Sequence, residues 1–220
     1  MSVTARYASI AFTNAVRAAQ TRYGSRRAYA RLDGVAARAT GPDPLTDIEK
    51  EFIAERDGFY LATTSETGWP YVQFRGGPRG FLRVIDDHTI GWADFRGNRQ
   101  YISTGNMTSN DRVALFLMDY AQQARLKIFG HARFVDVDTE PDLVRQLSVA
   151  DYRARVERAV IVRIDAYDWN CPQHITPRYT VEEINSAVDL IPARLAELEH
   201  ENEQLRDRIR AVDSSSEPPR

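Results

Sequence analysis

Arg125-Leu126-Lys127-Ile128-Phe129-Gly130-His131-Ala132-Arg133-Phe134-Val135 alternates along its whole length. Leu126, Ile128, Gly130, Ala132 and Phe134 share one face, and Arg125 and Lys127 share the other. Strand side chains repeat every two residues, so this is a strand with one face turned to a core. On a one-sided sheet the opposite face meets solvent. Upstream, Val113 to Met118 is continuously apolar and predicts a strand buried on both faces. Further out, Phe59 to Thr64 leads through the turn Ser65-Glu66-Thr67-Gly68 into Tyr71 to Arg75, which stops at Gly76-Gly77-Pro78. Phe81 to Ile85 and Thr89 to Phe95 flank the turn Asp86-Asp87-His88, and Ala159 to Tyr167 is a last strand. Helices are expected over Arg99 to Asn106 and Glu140 to Leu147. Six or so antiparallel strands with one inserted helix predict a mainly β (β+α) fold, closed or nearly closed into a barrel. Closure removes exposed edges.

The flanks are helical. Ala5 to Arg31 carries Ile10, Phe12, Val16, Ala19 and Tyr23 at mixed helical spacings, and the breakers Gly41-Pro42-Asp43-Pro44 end this arm. A capping box, Thr46-x-x-Glu49, opens the next helix, which Gly58 closes. With Val188 at heptad position a, the C-terminal stretch reads Val188, Ile191, Leu195, Leu198, Asn202, Leu205, Ile209, Val212. Asn202 then falls at an a position, where a buried polar residue favours an in-register dimer; packing on the barrel is the other reading. The expected organisation is a helical arm (1–44), a barrel domain (45–180), a C-terminal helix and short coiled coil (181–212), and a disordered tail (213–220).

A net charge of −2 argues against nucleic acid or an anionic membrane as partner. No apolar run is long enough to span a bilayer, and the N-terminus predicts no secretory leader. One cysteine, Cys171, allows no internal disulfide and fits a reducing compartment, so a cytoplasmic setting is expected. Of the 29 basic residues only Lys50 and Lys127 are lysines, so any anion site is built from arginine forks.

Four segments could carry chemistry. In Gln73-Phe74-Arg75-Gly76-Gly77, strand parity puts Gln73 and Arg75 on one face, and the glycines let a planar ligand or another backbone approach. In Trp92-Ala93-Asp94-Phe95-Arg96-Gly97-Asn98-Arg99-Gln100-Tyr101 a strand breaks at Gly97, and Asn98 is placed to cap the following helix. A helix start beside Arg99 suits a phosphate monoester. Arg125 and Lys127 form either a solvent face or a cationic edge to a ligand site. Trp169-Asn170-Cys171-Pro172-Gln173-His174 reads as a rigid covering loop. Cys171 and His174 alone do not make a metal site, and Cys171 is expected as a small packed residue.

Together these strings, above all Gly68-Trp69-Pro70-Tyr71-Val72-Gln73, Arg75-Gly76-Gly77-Pro78 and Ala93-Asp94-Phe95-Arg96-Gly97-Asn98-Arg99-Gln100, resemble the pyridoxamine 5′-phosphate oxidase-like superfamily, the FMN-binding split β-barrels. The resemblance covers about residues 45–180. It implies an antiparallel split barrel, FMN as cofactor, and a homodimer sharing each flavin across its interface. It also implies cofactor contacts at Gln73, Phe74, Arg75, Gly76, Trp92, Ala93, Asn98, Arg99, Gln100, Arg125, Lys127 and Trp169. The chain departs from the oxidase proper, with Gln73 for an arginine and Asn98-Arg99 for a basic pair. The residues that hold pyridoxal phosphate there have no evident match, so vitamin B6 oxidation is not implied. The expected activity is hydride transfer through FMN to an unidentified small molecule, with His174 as candidate proton donor. Haem- or deazaflavin-binding barrels, and a non-enzymatic flavin sensor or scaffold, are the alternatives.

Overall fold

The computed structural model describes residues 3–36, 41–170 and 172–215. Their backbone forms two units, Met1–Thr176 and Pro177–Arg220. The first contains α1 (Ala5–Ala11), α2 (Asn14–Arg22), α3 (Arg26–Tyr29), α4 (Arg31–Ala36), α5 (Asp47–Ala54), β1 (Gly58–Thr64), β2 (Pro70–Gly76), β3 (Arg83–Asp86), β4 (Thr89–Phe95), α6 (Ile102–Ser109), β5 (Arg112–Asp119), β6 (Ala124–Val135), α7 (Pro141–Leu147) and β7 (Val156–Trp169). The second is one long helix, α8 (Val181–Ser215), which carries the chain three residues past the expected boundary at 212; residues 216–220 of the tail lie outside the described residues.

All seven strands form one sheet with the order β2-β1-β5-β6-β7-β4-β3, and every pairing is antiparallel. Register puts the inward residues opposite one another: Leu61 against Leu115, Leu115 against Ile128, Gly130 against Ile164, and Ile90 against Val162. These residues belong to one buried core. The sheet also curls. Strands β1 and β4 are separated in the order by β5, β6 and β7, yet Phe59 of β1 meets Trp92 of β4 edge-on, with ring centroids 5.0 Å apart. Phe81 stacks on the other side of Phe59 at 5.8 Å. Each such ring, fully buried, stabilises the fold by roughly 1.5–3 kcal/mol.

A buried ion pair fastens the curl. Arg75 Nη1 of β2 lies 2.8 Å from Asp94 Oδ1 of β4, and Arg158 Nε of β7 lies 3.1 Å from Asp94 Oδ2. Thus β2, at one end of the strand order, touches β4 across the opening. The barrel is split there and bridged by side chains instead of backbone hydrogen bonds. Helix α6 plugs this end: Asn106 Nδ2 donates to Thr63 Oγ1 (3.0 Å), and the Ser103 hydroxyl donates to Gln73 Oε1 (2.9 Å).

The outer face is covered unevenly. Helix α7 seats Val144 and Leu147 on Val135, Ala159 and Ile161. Tyr7 of α1 stacks on Phe129 of β6 at 4.9 Å, so the N-terminal arm covers the outside of the sheet around β6. On β5, Val113, Leu115 and Leu117 are buried while Ala114, Phe116 and Met118 are only half-buried. Its second face is therefore not fully buried as its apolar run suggested. The expected single helical stretch over Ala5 to Arg31 is broken at Phe12, which C-caps α1, and at Thr13, whose hydroxyl caps α2.

Helix α5 forms the expected capping box, and its Glu49 does more. Its carboxylate accepts from the Thr46 amide (2.9 Å), the Thr46 hydroxyl and the Trp169 indole N–H (2.6 Å). Burial pushes the Glu49 pKa up, but these hydrogen bonds together outweigh it and hold the group below its ordinary 4.5. A depressed carboxylate stabilises the fold above its unfolded-state pKa and loses that contribution as pH falls through the folded value. Glu49→Gln should therefore lower Tm at neutral pH, with the gap to the parent narrowing below about pH 4.5 in a thermal-melt series. Asp94→Asn leaves two arginines short of their counter-charge. It should cost about 3 kcal/mol in a urea titration, the low end for a broken buried pair because both guanidinium groups keep some solvent.

Candidate functional site: an arginine-lined cleft at the barrel split

Beside the Asp94 bridge lies a small open cleft. Its walls are β2 (Gln73, Arg75), the end of β4 (Asp94, Phe95), the loop Gly97–Arg99, the start of α6 (Tyr101 to Thr104) and β7 (Glu157, Arg158). Three arginines face two carboxylates there, so the cleft is net positive. Arg75 presents an unpartnered donor: its Nε is buried with no acceptor, while its Nη1 is held by Asp94. Arg158 is braced by Asp94, by the Thr104 hydroxyl (2.9 Å from Nη2) and by cation–π contacts with Phe134 and Tyr101. Arg99 is exposed, and its Nε reaches only the Tyr101 hydroxyl, at 3.4 Å. That hydroxyl stabilises the cation and pushes the already high Arg99 pKa further up.

The loop ahead of α6 is unusual. Arg99 and Tyr101 both have positive φ, +62° and +54°, a region in which a non-glycine residue costs of order 1 kcal/mol. Tyr101 is the N-cap of α6 and makes no side-chain cap hydrogen bond. The first amides of α6 have no partner within the helix, and Ile102, Ser103 and Thr104 of that first turn line the cleft. Asn98, expected to cap this helix, instead accepts from the Gln100 amide (3.1 Å) in a turn of its own. The helix starts at Ile102, later than the predicted Arg99.

Among the candidate cofactor residues, Gln73, Arg75, Asn98 and Arg99 converge on this cleft. Phe74 and Gly76 lie on the opposite parity of β2, with Phe74 on the exposed outer face. The expected room beside the two glycines is taken by aromatics of this chain, Phe74 and Phe81. A Cβ on Gly77 would sit 2.7 Å from the buried Phe81 ring, and one on Gly76 would meet Phe74 at 2.8 Å. Trp92 and Ala93 are buried, Trp92 in the barrel core, so only backbone is available from this part of β4. Gln100 is exposed beyond the cleft wall.

Arg125, Lys127 and Trp169 lie elsewhere on the chain, and their side chains already have partners. Lys127 is not solvent-facing: its Nζ pairs with the buried Asp168 at 2.6 Å and sits 4.9 Å over the Tyr7 ring. Arg125 stacks near Phe116 and faces the Asn170 amide. Trp169 packs edge-on against Phe52 at 4.7 Å, its N–H bonded to Glu49. His174 is exposed, with a φ of +66°, and does not line the cleft. Cys171 lies outside the described residues.

Asp94 and Arg158, the bridge at the cleft wall, were not singled out from sequence. Each places a charge at the edge of or within an apolar run, Trp92-Ala93-Asp94-Phe95 and Arg158-Ala159-Val160-Ile161. A charge buried in such a run needs a partner, and that signal was legible.

No group of His, Cys, Asp and Glu suited to a metal ion occurs among the described residues, and no helix among them is long and apolar enough to cross a membrane. No curated protein matches the chain. Solved structures similar to it include HupZ of Group A Streptococcus (16% identity, 61% of this chain and 99% of that chain, TM-score 0.47). Others are an FMN-binding protein of Syntrophomonas wolfei (12%, 69% and 97%, TM-score 0.41) and a protein of Clostridium acetobutylicum related to general stress protein 26 (13%, 61% and 92%, TM-score 0.40). The family model described as pyridoxamine 5′-phosphate oxidase matches residues 45–176, which span β1 to β7 and every wall of the cleft, and the chain belongs to that family.

Proposed function

We propose that this protein binds FMN, with the phosphate in the arginine-lined cleft, and acts as an oxidoreductase on a small molecule. The observation that carries this reading is the convergence of Arg75, with its buried unpartnered Nε, Arg158 and Arg99 on the uncapped start of α6. Charge-assisted donors at a helix N-terminus suit a phosphate monoester. Family membership supports the flavin over other phosphate ligands. No histidine lines the cleft, which gives a haem reading no ligand there.

When bound, FMN supplies the redox chemistry, accepting or donating a hydride. The chain binds and orients it. Asp94 holds Arg75 and Arg158 in fixed positions before any ligand arrives, so little side-chain freedom is lost on binding. Ser103 fixes the Gln73 amide oxygen, leaving the Gln73 amide nitrogen as a donor at the cleft wall.

A homodimer completes the proposal. The outer face of β1 and β2 exposes Tyr60, Val72, Phe74 and, in the adjoining turn, Trp69; Tyr60 and Phe74 pack edge to face. This apolar face lies on the strand whose inner side carries Gln73 and Arg75, so a second barrel docked there would stand beside the cleft. With one cysteine and a net charge of −2, we place the protein in the cytoplasm.

The purified protein should show the absorption bands of oxidised FMN, or acquire them on adding FMN. Arg158→Ala and Arg99→Ala should each weaken binding about tenfold or more, the effect of losing one charge-assisted contact worth about 1.4 kcal/mol. A protein that stays colourless with excess FMN, or variants that bind it as tightly as the parent, would overturn the reading.

A further inference from the structure

Helix α8 is 35 residues long, and its large apolar residues fall mainly along one stripe. From its first residue the stripe follows a heptad without interruption. Val181, Val188, Leu195, Asn202 and Ile209 fall at a positions, and Ile184, Ile191, Leu198 and Leu205 at d positions. Every apolar member is exposed, from 40% at Leu198 to 67% at Val181. A strict repeat of seven marks a seam for a left-handed supercoil, not a face for a flat sheet.

The flanking charges choose the partner. In a parallel pair, a g residue of one helix faces the e residue of the next heptad on the other. Arg194 (g) then faces Glu199 (e) of the second copy, and Glu201 (g) faces Arg206 (e): opposite charges in both places. Arg194 reaches Glu197 of its own helix at 2.8 Å, an exposed pair worth little, so it remains able to turn to the new partner. Asn202 selects the register. Parallel and in register, two Asn202 side chains meet and hydrogen-bond. In an antiparallel pair each would instead lie against an apolar d residue, leaving a polar group buried without a partner. Pro192 falls at an e position, outside the a and d layers, and the g residue facing it is the small Ala187.

We propose that α8 joins two copies of this chain as a parallel, in-register, two-stranded coiled coil. The full-length protein tests this, in a Cys171→Ser background, with a single cysteine introduced by Leu195→Cys (a), Leu205→Cys (d) or His200→Cys (f). Facing a and d positions come within disulfide reach in such a pair, and facing f positions do not. Under mild oxidation, Leu195→Cys and Leu205→Cys should each give covalent dimers at least about tenfold faster than His200→Cys. A far-ultraviolet spectrum matching the parent's separates an unpaired helix from an unfolded chain. Equal rates at all three positions, no covalent dimer, or dimers formed only when the Leu195→Cys and Leu205→Cys chains are mixed would overturn the proposal. The readout does not involve the flavin, so it stands or falls apart from the cofactor assignment.

Discussion

The carboxylate of Asp94 is the point on which the rest of the barrel domain depends. A seven-stranded antiparallel sheet can lie open, and this one does not complete its hydrogen-bonded circuit. What draws its β2 end over β4 is one buried anion shared by two arginines, Arg75 and Arg158. A lone carboxylate among Trp92, Ala93 and Phe95 would be costly to desolvate, and two cations remove that cost. The same geometry leaves part of each guanidinium facing the cleft. One interaction thus closes the barrel and sets the charge of the site.

The two sides of β2 show how the fold divides its labour. Its inward residues Gln73 and Arg75 belong to the cleft, while its outward residues Val72 and Phe74 are exposed beside Tyr60. On β6 the outward residues Lys127 and Phe129 lie under cover. The arm brings Tyr7 over Phe129 and Lys127, and Lys127 is neutralised by Asp168. Arm and C-terminal strand therefore take up cations that the sequence pattern left facing water. Trp169 is engaged in the same way, tied to α5 through Glu49 and Phe52.

Much of this was legible before any coordinates. Strand parity placed Gln73 and Arg75 together, and Thr46-x-x-Glu49 marked the start of α5. The alternation from Arg125 to Val135 separated the core-facing residues from those of the opposite face. Asn98 illustrates the limit, since a residue able to cap a helix is equally able to close its own turn, and the left-handed backbone at Arg99 and Tyr101 shifted the helix start beyond its reach. Gly76 and Gly77 illustrate another: sequence shows that space is needed beside them, but the rings of Phe74 and Phe81 that fill it come from packing.

The sequence by itself determined the periodicities: six or so antiparallel strands, a helical arm, and a C-terminal heptad with a single asparagine in its seam. These depend on side-chain spacing along the chain and need no knowledge of what lies opposite. Only the tertiary structure decided which charges meet. Arg75, Asp94 and Arg158 are separated by 19 and 64 residues, and they converge because the sheet twists and curls until its β2 end faces β4. That closure is a property of the whole sheet, and no local pattern encodes it.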